Sequence, residues 1–173
     1  MKKINHFIDG NQYLGQSKRS GDVYNPALGE KIAEVSFANS DDVEQAIISA
    51  KNAFSSWSKT PPLTRSRIFF KFKELLVRDM DKLAAQVTEE HGKVLSDSIG
   101  SITRGMEVVE FMCGVPHLIK GEFSENVGSN IDSWSLRQPL GICVGITPFN
   151  FRAMVPMWMF VVAIACGNCF ILK

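Results

Sequence analysis

Gly141-Ile142-Cys143-Val144-Gly145-Ile146-Thr147 is the stretch that decides the fold, together with the residues from Pro148 to Lys173. It is mostly apolar and rich in β-branched residues, the composition of a strand buried on both faces in a parallel sheet. A loop, Thr147-Pro148-Phe149-Asn150-Phe151, leads to a predicted helix from Arg152 to Cys166, with Gly167 as its stop. Cys169-Phe170-Ile171-Leu172-Lys173 then begins a second buried strand. Strand, helix, strand is a βαβ unit with a right-handed crossover. The chain is therefore α/β, and a ligand of such a unit binds at the carboxyl ends of its strands.

Working outward, Ile131 to Gln138 alternates loosely and reads as a half-exposed strand. The segment before it is helical. Asn39-Ser40-Asp41-Asp42 supplies capping side chains and acids that suit a helix start. Val43, Ala46, Ile47, Ala50, Ala53, Phe54 and Trp57 then form one apolar stripe. A second helix carries Ile68, Phe69, Phe72, Leu75 and Leu76, and a third runs from Asp81 to Gly92. A fourth spans about Val94 to Cys113, with Ile99, Ile102, Met106 and Val109 on its apolar side; Gly105 is expected to interrupt it. Near the N-terminus, Asp9-Gly10 between short apolar flanks signals a hairpin, and Asp22–Tyr24 with Lys31–Phe37 form a second extended pair. The expected layout is N-terminal strands over 1–38, a helical segment over 39–122, and a strand with the first βαβ unit over 123–173.

The totals exclude several classes. Among 173 residues, 19 are Lys or Arg and 18 are Asp or Glu, so no basic surface points to nucleic acid or an anionic membrane. From Ala153 to Cys166 there are fourteen apolar residues, Pro156 included, but a membrane span needs about 20, and Gly167-Asn168 breaks the run. The start, Met1 to Gly10, has no secretory core and no transit-peptide pattern, so a cytoplasmic setting with reduced thiols is expected.

Few residues carry chemistry on spacing alone. The loop after the first parallel strand has no Gly-x-Gly-x-x-Gly, so a dinucleotide there needs another arrangement. Asn150 can donate its amide to a developing oxyanion, or it can satisfy local backbone groups; spacing does not choose. Lys173 can bond ribose hydroxyls or balance phosphate, or it is a solvated strand end. Cys166-Gly167-Asn168-Cys169 is a C-x-x-C, yet no second pair completes a metal set, and both thiols sit where small core residues belong. Arg104 lies mid-helix and reads as a solvated face.

The string QPLGICVGITPFNF (138–151), followed by AMVPMWMF (153–160) and ACGN-FILK (165–173, the gap being Cys169), resembles the aldehyde dehydrogenase family, within it the CoA-acylating methylmalonate-semialdehyde type. RIFFKFKELL, EEHGKVL, RGMEVVEF, FIDG and YNPALGE agree in order and spacing. The resemblance runs from about His6 to Lys173 and implies the N-terminal portion of that fold, an incomplete doubly wound NAD-binding domain. It implies that Thr147, Phe149 and Lys173 contact NAD and that Asn150 stabilises the oxyanion. Arg104 would bind the carboxylate of a small semialdehyde, with coenzyme A as co-substrate. Full-length members are homo-oligomeric. None of the four Cys matches the family nucleophile, so the catalytic domain is expected to be absent and the chain alone inactive. Arg152 and Val161 stand where Pro is usual, and Cys169 where Thr is usual. A cation at the start of a buried helix opposes its dipole, so Arg152 is expected to weaken helix docking or NAD binding.

Overall fold

A computed structural model describes residues 2–173; Met1, which opens the stretch expected to lack a leader, lies outside the described residues. In chain order the elements are β1 (Lys2–Ile4), β2 (His6–Ile8), β3 (Asn11–Tyr13), β4 (Ser20–Asn25) and β5 (Glu30–Ser36). Then come α1 (Ser40–Trp57), α2 (Pro62–Arg78), α3 (Met80–His91), α4 (Leu95–Cys113) and the short α5 (Val115–Leu118). The chain continues through β6 (Phe123–Gly128), β7 (Ile131–Trp134), β8 (Ile142–Gly145), α6 (Met154–Ala165) and β9 (Cys169–Leu172).

The β2–β3 hairpin turns at Asp9 (φ 53°) and Gly10 (φ 74°), the left-handed pair that matches strand twist in a two-residue loop. β4 and β5 pair antiparallel, and β1 joins β5 as a parallel third strand. β6 and β7 form a separate hairpin, while β8 and β9 run parallel with Ile142 opposite Cys169 and Gly145 opposite Leu172. α6 connects the last two, which is the expected βαβ unit.

The core lies among the helices. α4 packs on α2, α3 and α6. Ile102 and Val109 of α4, Phe69 of α2, Ala84 of α3 and Val161 of α6 are all buried there. α1 is capped as its sequence indicates: Asn39 accepts from the Asp42 amide at 2.9 Å, and Asp42 accepts in return from the Asn39 amide at 3.0 Å. α3 ends on Gly92 in the left-handed conformation.

Several expectations change. Gly105 does not interrupt α4, which runs unbroken through it. A Cβ there would collide with the Met157 side chain and lie 3.3 Å from the Met154 Cα, so the glycine lets α4 and α6 approach closely. The β8 strand is not covered on both sides: Val144 is 62% and Ile146 70% exposed, because only one parallel neighbour and the helices α1 and α6 lie against this pair. β7 stops at Trp134, well short of Gln138, and is exposed along its length, since it pairs only with β6. On α1, Val43 and Ala53 are exposed and the rest of the stripe is half-buried; Ile68 of α2 is also exposed. Phe37 lies just past β5. α6 begins at Met154, so Arg152 precedes the helix and does not sit inside its first turn. Among the described residues no helix is long and apolar enough to cross a membrane.

Candidate functional site

Parallel pairing brings the ends of β8 and β9 together, and the ladder continues past both strands. The Lys173 amide donates to the Gly145 carbonyl at 2.8 Å, and the Thr147 amide donates to the Lys173 carbonyl at 2.9 Å. The Thr147 hydroxyl donates to the same carbonyl at 3.3 Å. Thr147 and Lys173, remote in sequence, are thus neighbours on the carboxyl edge, and the Lys173 side chain is exposed.

From this edge the chain passes into the loop carrying Phe149 and Asn150, both exposed. Among the described residues the Asn150 side chain makes no hydrogen bond, so its amide is not engaged in satisfying local backbone. The loop is held from other directions. Arg152 Nε donates to the Phe149 carbonyl at 3.3 Å, and the same guanidinium pairs with Glu90 at 3.4 Å. Lys93 sits over the Phe151 ring, 4.9 Å from its centroid, and donates to the Ser101 hydroxyl at 3.3 Å. Arg152 therefore has a carboxylate partner and lies ahead of the helix, so its charge does not meet the dipole uncompensated.

Arg104 is exposed on α4, and its guanidinium makes no hydrogen bond or ion pair among the described residues. Its backbone carbonyl accepts from the Trp158 indole N–H at 3.3 Å, which ties this turn of α4 to α6. No direct bond joins Arg104 to Asn150; the Gly105–Met157 contact is what sets α4 against the helix after the Asn150 loop. Glu90, Lys93 and Trp158 have no sequence signal of their own, because each acts on a residue more than fifty positions away.

Three of the four thiols are not activated. Burial pushes Cys113, Cys166 and Cys169 above the ordinary thiol range, the opposite of a nucleophile's environment. All four Cys are free, and among the described residues no group of three or more His, Cys, Asp or Glu could hold a metal. Asn168 is structural: its side-chain oxygen accepts from the Leu140 and Gly141 amides at 2.6 and 3.0 Å, fixing the entry to β8.

The βαβ unit places the chain in the α/β class, and the chain belongs to the aldehyde dehydrogenase family, whose model matches residues 13–173. It is similar to malonate-semialdehyde dehydrogenase of Pseudomonas aeruginosa, 47% identical over 173 residues, all of this chain and 35% of that protein. Mitochondrial acylating methylmalonate-semialdehyde dehydrogenase of Arabidopsis thaliana is 47% identical over 171 residues, 99% of this chain and 28% of that one. In three dimensions, a crystal structure of methylmalonate-semialdehyde dehydrogenase from Sinorhizobium meliloti complexed with NAD superimposes with a TM-score of 0.97 at 51% identity. That match takes in 100% of this chain and 35% of that one, so the chain corresponds to the N-terminal third of the fold.

Proposed function

We propose that this chain forms the leading part of an NAD-dependent, CoA-acylating dehydrogenase of malonate or methylmalonate semialdehyde. The observation that carries the reading is the meeting of Thr147 and Lys173 on the carboxyl edge of a parallel pair, with the unbonded Asn150 amide on the loop beside them. The residues fit NAD without a glycine fingerprint. Lys173 supplies a cation for ribose or phosphate, and Thr147 and Phe149 supply the wall beside it. When bound, NAD supplies the hydride acceptor. Asn150 would donate its amide to the oxygen of the aldehyde as negative charge develops there. Arg104, with no partner of its own among the described residues, would hold the distal carboxylate of the semialdehyde through paired N–H bonds. The family resemblance assigns the nucleophile to none of the four Cys here, and the role proposed for these residues is to bind and orient.

Calorimetric titration of the 173-residue chain with NAD tests the reading. Saturable binding that weakens about tenfold in Lys173→Ala, with the fold intact by circular dichroism, is the expected result. Binding that is absent, or indifferent to Lys173, would remove the NAD assignment. A second reading, an interaction module, draws on the exposed apolar hairpin of β6 and β7, and it is favoured only if the chain binds no NAD while associating through that hairpin.

A further inference from the structure

A second concavity lies at the opposite end of the βαβ unit from Thr147 and Lys173. It is bounded by the start of α2, the corner between α4 and α5, and the segment before β8, and it encloses about 890 Å³. Its position is fixed by Pro139, which precedes β8, and Cys166, which caps α6. Its walls carry four cations, Lys59, Arg65, Lys120 and Arg137, and no carboxylate; Glu110 and Glu122, each next in sequence to a lining residue, are not among them.

Arg65 makes this a built site. It is 3% exposed, yet among the described residues it has no ion-pair partner. Its Nε donates to the Ala165 carbonyl at 2.8 Å and its Nη1 to the Thr60 carbonyl. Those bonds engage two of five N–H donors and place the guanidinium at the negative end of α6, but they supply no full counter-charge. Burial without a carboxylate disfavours the charged form, and its pKa is pulled down accordingly. Arg137 donates to the Lys120 carbonyl at 3.2 Å, which draws two further cations to the same rim. Beneath them the surface is apolar, with Phe111, Met112, Ile119 and Val162. An apolar floor, a cationic rim and a volume within the roughly 300–1,000 Å³ of small-molecule sites specify both halves of a ligand.

We propose that this cleft binds an amphipathic organic anion, its apolar body on the Phe111–Met112 floor and its carboxylate or phosphate head among Lys59, Arg65, Lys120 and Arg137. Convergence of like charges on a partly dry surface is unfavourable, and an oxyanion relieves it.

The test is a titration of the full chain, isotopically labelled in arginine, with octanoate, octyl phosphate, octanol and acetate. Binding is read by calorimetry and by the Arg65 Nε–H resonance. One of the two eight-carbon anions should bind saturably and move that resonance, while octanol and acetate bind at least about tenfold more weakly because each lacks one half of the recognition. Whichever anion binds more tightly identifies the head group. The double variant Lys120→Gln, Arg137→Gln should weaken binding about tenfold, and exposed Lys82→Gln should not. Lys59→Gln offers an independent rim variant if the double variant fails to fold. Octanol binding as tightly as octanoate, equal binding by both rim variants and wild type, or an unmoved Arg65 resonance would each overturn the proposal.

Discussion

Asp42 joins the entry of α1 to the loop before β4, and its carboxylate does so with both oxygens. One accepts from the Gln16 amide at 2.8 Å and the other from the Asn39 amide at 3.0 Å. The bond from Asn39, then that from Gln16, holds the carboxyl below the usual carboxylate range. A lowered folded pKa contributes stability that is complete above the unfolded carboxylate value and is lost as pH falls through the folded one. The thermal midpoint is therefore expected to drop on acidification across that window, and Asp42→Asn to flatten the drop, as a pH series of melts would show. Asn39→Ala removes the reciprocal cap and is expected to destabilise by about 1 kcal/mol in urea unfolding. Arg65→Ala is a larger change. It strips the donors from the Ala165 and Thr60 carbonyls inside the molecule, and about 3 kcal/mol should be lost by the same measurement.

Between α4 and α6 the determining residue has no side chain. Gly105→Val would place two methyl groups against the Met154 backbone and the Met157 side chain, forcing the helices apart; denaturant unfolding should show a loss of about 1–3 kcal/mol. This contact also shows where the sequence misleads. A glycine inside a helical pattern signals an interruption if propensity alone is considered, and its real role appears only when the partner helix is present. The boundaries that were legible are those written locally: the Asn39 cap, the Asp9-Gly10 turn and the Gly92 stop each depend on neighbours a few positions away. The features that were not legible are non-local. β1 is three residues joined in parallel to a strand some thirty positions later, too short to show a period. β6 gains its conformation from pairing with β7, and α5 is a single turn, too short to show a period. The site divides in the same way. A βαβ unit puts Thr147 and Lys173 on one edge by topology, whereas the supports from Glu90, Lys93 and Trp158 depend on tertiary contacts.

The molecule as a whole leaves much apolar surface uncovered. Phe123, Ile131 and Trp134 of the β6–β7 hairpin are each more than half exposed, and the β8–β9 pair has unpaired edges. Paired edges and covered patches are the usual condition of a monomer, so the isolated chain is expected to self-associate with rising concentration. In sedimentation velocity the double variant Ile131→Lys, Trp134→Glu should shift the distribution toward the monomer; an unchanged distribution would place the sticky surface elsewhere. Two long-range bonds carry a further consequence. The Trp57 indole donates to the Ile164 carbonyl and Arg65 to the Ala165 carbonyl, across 107 and 100 positions of sequence. During synthesis, α1 and α2 leave the ribosome with these donors unmet. At about 5–20 residues per second the acceptors emerge on the order of 5–20 s later. Throughout that interval α2 exposes the flank that α6 will cover and α1 the flank that β9 will cover, and the nascent chain is a client for whatever holds apolar surface apart until β9 emerges.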